Sequence, residues 1–389
     1  MLFGRFMNKI LEEIKAISGA IGFNYLPKEK RQVTFYSEGK NYWPHLQGLL
    51  KATLERTDKY VCYVSSSLDD PGLMIEHPNL KKIFIGMAFV RDYFFQNVDT
   101  DVMVMTMPDL HKYQVKRSRY NVHYVYVQHS LASLHTIYRH SAFDYYDTVC
   151  AAGPHHVNEI RAIEAKYNLP KKNIVKLGYS RLDNLIETAN KNSNSANTKK
   201  QTYKKILVAP SWGPEGIIES GLGKNLTNQL LDLGHEVILR PHPQTIKFAK
   251  DKVADIIDQH KDNPHFTFEE SVNEQESLLQ SDIMVSDWSG VAFEYAFALN
   301  KPVIFCEVPR KINNSNYQDI EIEPIEVSLR EKIGVIWDGI SPIEEIIDLC
   351  SQKRKDDLRT LSNQYCFNQG RSDEVFVEIL LELFIKYKF

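Results

Sequence analysis

The stretch Ser281 to Pro302, SDIMVSDWSGVAFEYAFALNKP, reads as a buried strand, a loop of small and polar residues, and a helix that opens near Ser289. A helix start offers unpaired backbone N–H groups and the positive end of a dipole. Ser286, Ser289 and Gly290 add hydroxyls and a close backbone approach, so the loop has the make-up of a phosphate cradle. Plain N-capping by Asp287 or Ser289 would use the same residues. Two features favour the cradle: the loop follows a core strand, and Glu294 lies one helical turn on, within reach of a ribose. In Val237 to Pro243, VILRPHP, a strand runs into Arg240 and His242, with Pro241 and Pro243 stiffening the loop. A guanidinium there can pair with a phosphate, and the imidazole can donate a proton or a hydrogen bond to a phosphoryl oxygen. His123 to His135, HYVYVQHSLASLH, is an apolar strand ending in Gln128, His129 and Ser130. That ending makes His129 either a structural histidine or a general base for a hydroxyl acceptor. Ile206 to Trp212, ILVAPSW, ends in Ser211 and Trp212, which suits a packed aromatic and a cleft residue equally.

These segments need elements to aim them. From Gln32 onward short β-rich runs alternate with helical stretches: Val33 to Tyr36, Tyr60 to Val64, Lys82 to Phe84, Asp101 to Met105 and His123 to Val127. A second series follows at Ile206 to Ala209, Val237 to Leu239, Phe266 to Phe268, Ile283 to Val285 and Val303 to Phe305. Such alternation predicts an α/β chain of two Rossmann-like domains with mostly parallel sheets, facing each other across a cleft. The expected division is an acceptor domain over 1–186, a polar linker over 187–204, a nucleotide-donor domain over 205–350 and C-terminal helices over 351–389. Ligands of open sheets bind at the carboxyl ends of the strands, where all four segments lie.

At 389 residues, 43% hydrophobic and 25% charged, the chain has the composition of a globular protein of two cores. Lys plus Arg number 47 against 50 for Asp plus Glu, which gives no global reason to expect nucleic acid as a partner. Five scattered cysteines without a CxxC pair suggest neither disulfides nor zinc and fit a reducing cytoplasm. No HExxH spacing exists, and adjacent His155 and His156 cannot readily point to one ion, so no metal site is expected. The glycines at 213, 216, 221 and 223 form neither a GxGxxG fingerprint nor a P-loop, so no NAD or ATP is implied. No apolar run approaches the roughly 20 residues of a membrane span, and the N-terminus lacks a signal-peptide pattern. Leu2, Phe3, Phe6, Ile10, Leu11, Ile14 and Ile17 fall at helical spacing with Arg5, Lys9 and Lys15 between them. Such a helix can pack on its own domain or lie on a membrane surface. Glu12 and Glu13 dilute its basic face and favour the first.

Taken in order, APSW at Ala209 to Trp212, RPHP at Arg240 to Pro243 and SDIMVSDWSGVAFEYAFALNKPVIF at Ser281 to Phe305 resemble the CDP-glycerol glycerophosphotransferase family. These are the TagB- and TagF-like polyol-phosphate transferases of teichoic acid and capsule assembly. Gln128 to Ser130, LGYSRLD at Leu177 to Asp183 and NQGRS at Asn368 to Ser372 extend the resemblance over most of the chain after about residue 120. It implies a GT-B fold and transfer of glycerol phosphate, or a related polyol phosphate, from a CDP-activated donor to a hydroxyl of a glycan or lipid-linked acceptor, releasing CMP. It further implies that His129 is the base toward the acceptor and that His242, Ser286, Asp287, Ser289 and Gly290 serve the donor phosphates. Arg240, Ser211 and Glu294 complete the expected donor site, with no metal or other cofactor. The family commonly has His-Gly where this chain has His129-Ser130, and Tyr-Ser or Tyr-Ser-Ser in place of Trp288, Ser289 and Gly290. The polyol therefore stays open. The expected location is the cytoplasm, with peripheral contact at the inner face of the membrane. The rival readings are a GT-B glycosyltransferase with a nucleotide-sugar donor and a UDP-GlcNAc 2-epimerase-like isomerase. Without the separate acceptor module of processive polymerases, a single addition or a short chain is favoured over long polymerisation.

Overall fold

Runs that are apolar on both faces need cover on both sides, and parallel sheets flanked by helices supply it. The computed structural model describes residues 2–193, 203–271 and 275–387, with side chains from Met7 onward and not at Ser193. It divides into two compact units. Unit 1 comprises Met1–His129, Tyr138–Arg181 and Cys366–Phe389; unit 2 comprises Ser130–Ile137 and Leu182–Tyr365.

Unit 1 contains a parallel sheet of β1 (Val33–Ser37), β2 (Val61–Ser65), β3 (Leu80–Phe84), β4 (Val102–Met105), β5 (His123–Tyr126), β6 (Thr148–Ala151) and β7 (Asn173–Lys176), ordered β3-β2-β1-β4-β5-β6-β7. β6 and β7 add to the strands expected from sequence. The order reverses between β1 and β4, which opens a crevice beyond their carboxyl ends, the place where such sheets bind ligands. One sheet face is covered by the helix Trp43–Arg56, through Leu46, Leu49 and Leu50, and by the distant helix Ser372–Tyr387, through Phe376, Ile379, Leu380 and Leu383. Each Leu or Ile so buried contributes about 1.5–3 kcal/mol. The helix Leu2–Asn24 buries Ala16, Ala20 and Phe23, while Leu11, Ile14, Ile17 and Ile21 on the same helix are exposed.

Unit 2 contains β8 (Lys205–Val208), β9 (Glu236–Leu239), β10 (Phe266–Phe268), β11 (Ile283–Ser286), β12 (Val303–Cys306) and β13 (Gly334–Trp337), parallel and ordered β10-β9-β8-β11-β12-β13. Here the reversal lies between β8 and β11. The strands ending in APSW and SDWSG are therefore neighbours, with Ile283 opposite Ile206 and Val285 opposite Val208. Residues 187–193 of the expected linker continue the helix Ser180–Ser193, and 194–202 lie outside the described residues. The tail forms the helices Ile343–Ser351, Lys355–Tyr365 and Ser372–Tyr387. Among the described residues no helix is long and apolar enough to cross a membrane.

Candidate functional site

In unit 2 the loops after β8 and β11 are stitched together by side chains the sequence singles out. Ser286 Oγ donates to the Ala209 carbonyl at 2.8 Å. Asp287 Oδ1 accepts from the backbone N–H groups of Ser211 at 2.7 Å and Trp288 at 2.6 Å. Burial pushes the Asp287 carboxyl up from its usual range, against the opposing pull of those N–H groups and of Lys311. Ser286 and Asp287 thus hold the crevice in shape. Ser289 and Gly290 sit half-buried at the mouth of the helix Val291–Leu299, and Glu294 is buried in its first turn. Gly290 lies close to Ser130: a Cβ there would fall 2.3 Å from Ser130 Oγ, in the short segment of unit 2 that follows His129, and would require that hydroxyl to turn away. Trp288 is fixed by a bond from Nε1 to the Val308 carbonyl at 3.0 Å and by the Arg330 guanidinium 4.0 Å from its ring centre.

The two polar residues of RPHP differ in placement. Arg240 is buried, donates to Ser277 Oγ at 3.0 Å and stands 3.9 Å from Glu269, so its guanidinium ties the end of β9 to neighbouring chain within the unit. His242 caps the helix Pro243–Phe248: its Nδ1 accepts from the Gln244 N–H at 3.1 Å. That bond assigns the proton to Nε2. Burial, reinforced by the charge of Lys311, lowers the His242 pKa to about 4, so the ring is neutral and presents an N–H donor. Its ring centre is 6.1 Å from that of Trp212.

Beside these loops lies a cavity of about 260 Å³, bounded by Ser211, Trp212, Asp287, Trp288 and the turn Val308 to Asn313 that follows β12. Arg310 and Lys311 on this turn were not anticipated from sequence. The only signal available was their position just past a core strand. Lys311 Nζ stands 4.6 Å from the Trp212 ring centre, and burial lowers its pKa to about 8.

In unit 1, His129 follows β5 inside an aromatic enclosure. Its Nδ1 is 3.1 Å from Tyr126 Oη and its Nε2 is 3.3 Å from Tyr138 Oη, with the Tyr42 and His45 rings at 5.9 and 6.0 Å. Burial lowers its pKa to about 4, although a hydrogen bond with the Thr106 backbone pulls the other way. The imidazole is thereby held neutral, able to accept a proton. Glu38, beyond β1 in the same unit, is raised to about 7 by burial, opposed by Arg91 and by a hydrogen bond with Tyr42. It was not singled out in sequence. Among the described residues no three His, Cys, Asp or Glu side chains are grouped to hold a metal ion.

The sequence matches the family described as CDP-glycerol:poly(glycerophosphate) glycerophosphotransferase over residues 25–311. No curated protein matches it. Among solved structures, a variant of the wall teichoic acid polymerase TagF soaked with CDPG is 16% identical, with a TM-score of 0.61 and coverage of 100% of this chain and 98% of that one. The UDP-GlcNAc 2-epimerase of Methanocaldococcus jannaschii, in complex with UDP-GlcNAc and UDP, is 15% identical over 90% of this chain and 99% of that one, with a TM-score of 0.56. MnaA of S. aureus with UDP is 11% identical over 91% and 97%, with a TM-score of 0.58. At these identities the structural likeness is one of fold, the GT-B arrangement of two Rossmann-like sheets, whereas the family match spans most of the chain. The chain therefore belongs to the CDP-glycerol:poly(glycerophosphate) glycerophosphotransferase family and is an enzyme that transfers glycerol phosphate, or a related polyol phosphate, from a CDP-activated donor to a hydroxyl acceptor.

Proposed function

We propose that unit 2 holds the CDP-linked donor on the loops after β8, β9 and β11, and that His129 of unit 1 takes the proton of the acceptor hydroxyl. The acceptor oxygen forms a bond to the phosphorus that carries the polyol, the bond from that phosphorus to the CMP oxygen breaks, and CMP leaves with the electron pair. One observation carries the donor assignment: with Nδ1 of His242 occupied by the Gln244 N–H, the ring offers a neutral Nε2–H, suited to a phosphoryl oxygen that gains charge as CMP departs. Ser289, Gly290 and the N–H groups opening the helix Val291–Leu299 extend this donor array. Glu294 in the first turn serves the ribose. Ser211, Ser286 and Asp287 hold the loops in register, and Arg240 anchors the loop that carries His242.

In this reading no metal ion takes part, because N–H groups and side-chain cations meet the charge at phosphorus. The acceptor is a glycan or lipid-linked saccharide of teichoic acid or capsule type, to which one or a few units are added. The exposed Leu11, Ile14, Ile17 and Ile21 on the first helix, with Met87 and Phe89 exposed beyond Gly86, which packs on Ala16, supply an apolar face for peripheral contact with a membrane on its cytoplasmic side. The chemistry is tested by incubating the protein with CDP-glycerol, CDP-ribitol or UDP-GlcNAc and a membrane-derived acceptor in excess EDTA, and measuring CMP and UDP. CMP release in EDTA is expected, and His129→Ala and His242→Ala should each lower it about a hundredfold or more while remaining folded. Interconversion of UDP-sugars would overturn the assignment in favour of an epimerase, and near-normal rates in both variants would remove the proposed roles.

A further inference from the structure

The diphosphate of a nucleotide donor brings negative charge that a neutral His242 and a helix start do not balance, and the arginine of RPHP is bound to Ser277 inside the unit. Another cation is required. Two stand on the turn after β12, a strand adjoining β11, whose loop helps form the crevice. Lys311 and Arg310 both border the 260 Å³ cavity together with Ser211, Trp212 and Asp287. Neither forms an ion pair among the described residues. Nε and Nη2 of Arg310 are buried without a hydrogen-bond partner, while its guanidinium lies 5.3 Å from the Tyr317 ring centre. Trp212 links the turn to RPHP, having Lys311 Nζ at 4.6 Å from its ring centre and the His242 ring at 6.1 Å. Buried cationic donors left without an anion are costly, and an arriving phosphate relieves that cost.

We propose that Lys311, backed by Arg310, is the cationic clamp for the diphosphate of the nucleotide donor in unit 2. The clamp rests on the donor reading given above and adds to it residues outside the motifs that signal the family. Lys311 supplies a point charge to the phosphate oxygens, and Trp212 walls off water on one side of it. Asp287, held by two backbone N–H groups on the wall of the same cavity, acts on the amine only from beyond ion-pair distance, so the charge of Lys311 stays available to the donor.

Calorimetric titration of the full chain with CDP, CMP and cytidine tests the clamp without requiring an acceptor. Relative to wild type, Lys311→Ala should weaken CDP binding about 10- to 100-fold and leave cytidine binding unchanged, as expected when one charge-assisted phosphate contact is lost. Lys311→Arg should recover most of the affinity. Lys311→Gln, which keeps the stem over Trp212, should behave as the alanine variant does, and it replaces that variant if alanine impairs folding. CDP affinity within twofold of wild type in either neutral variant overturns the clamp. A wild-type protein that binds UDP in preference to CDP overturns the donor reading instead. The same variants are then titrated with UDP, where loss of affinity supports the clamp and unchanged affinity rejects it.

Discussion

Asp287→Ala removes the acceptor that joins the loops after β8 and β11. The carboxylate is 1% exposed, and its Oδ1 receives two backbone N–H groups at 2.7 and 2.6 Å. Alanine leaves the Ser211 and Trp288 N–H groups without that partner, at about 1–3 kcal/mol each, so the loss is about 4 kcal/mol. Part of the gain from the carboxylate is already offset by the burial that raises its pKa. With a urea slope of about 2 kcal/mol/M, the midpoint for unit 2 should fall by about 2 M. Asparagine keeps an oxygen at the Oδ1 position and removes the buried charge, so Asp287→Asn should shift the midpoint by less than half as much. Three of the four tryptophans, Trp212, Trp288 and Trp337, lie in unit 2, so tryptophan fluorescence during urea titration reads this unit preferentially. An alanine variant unfolding at the wild-type urea concentration, or an asparagine variant as unstable as alanine, would refute the reasoning.

Both candidate histidines keep their protons off until about pH 4, whereas an unfolded imidazole binds one below about 6.5. The unfolded chain therefore holds more protons between those values, and stability present above pH 6.5 is lost as pH falls toward 4. For the same reason the acid limb of kcat/KM should fall near pH 4 to 5, and a limb centred on 6.5 would show that His129 is not the titrating base. Gly290→Ala should destabilise unit 2 and weaken donor binding, because its Cβ meets Ser130 Oγ at 2.3 Å; adding Ser130→Gly should restore much of both, and strict additivity in that double-mutant cycle would count against a direct clash. Flotation with anionic lipid vesicles should retain wild-type protein and lose an Ile14→Glu, Ile17→Glu variant; equal retention removes the membrane role of the first helix.

The fold was legible wherever a strand was a self-contained apolar run, as in VMVM of β4 or VIFC of β12. It was not legible at β6 and β7, whose four-residue TVCA and NIVK carry too few side chains for periodicity to separate from their surroundings. The helix Ser180–Ser193 runs into a polar stretch because Leu182 and Leu185 bury its first half and the remaining turns follow, which composition alone reads as linker. At the site, the APSW and SDWSG motifs fall on loops at the carboxyl ends of adjacent strands, as their position after apolar runs suggests. What each side chain does there depends on partners far off in sequence: Ser277 engages Arg240 across 37 residues, and Ser211 and Asp287 are separated by 76. Lys311 escaped notice because a lysine after a strand carries no motif. Two of the departures from the family pattern, Ser130 for glycine and Gly290 for serine, look unrelated along the chain. In space they abut, so bulk gained at one position is given up at the other.

The helix Ser372–Tyr387 has a bearing on how the protein comes into being. Phe376, Ile379, Leu380 and Leu383 belong to the core of unit 1, although the stretch Leu182–Tyr365 of unit 2 separates them in sequence from the sheet they cover. During synthesis the six strands of unit 2 emerge and can close their sheet while the sheet of unit 1 still lacks one apolar lid. The earlier-made half is thus the later to mature, and until that helix arrives it must be shielded from sticking to its neighbours.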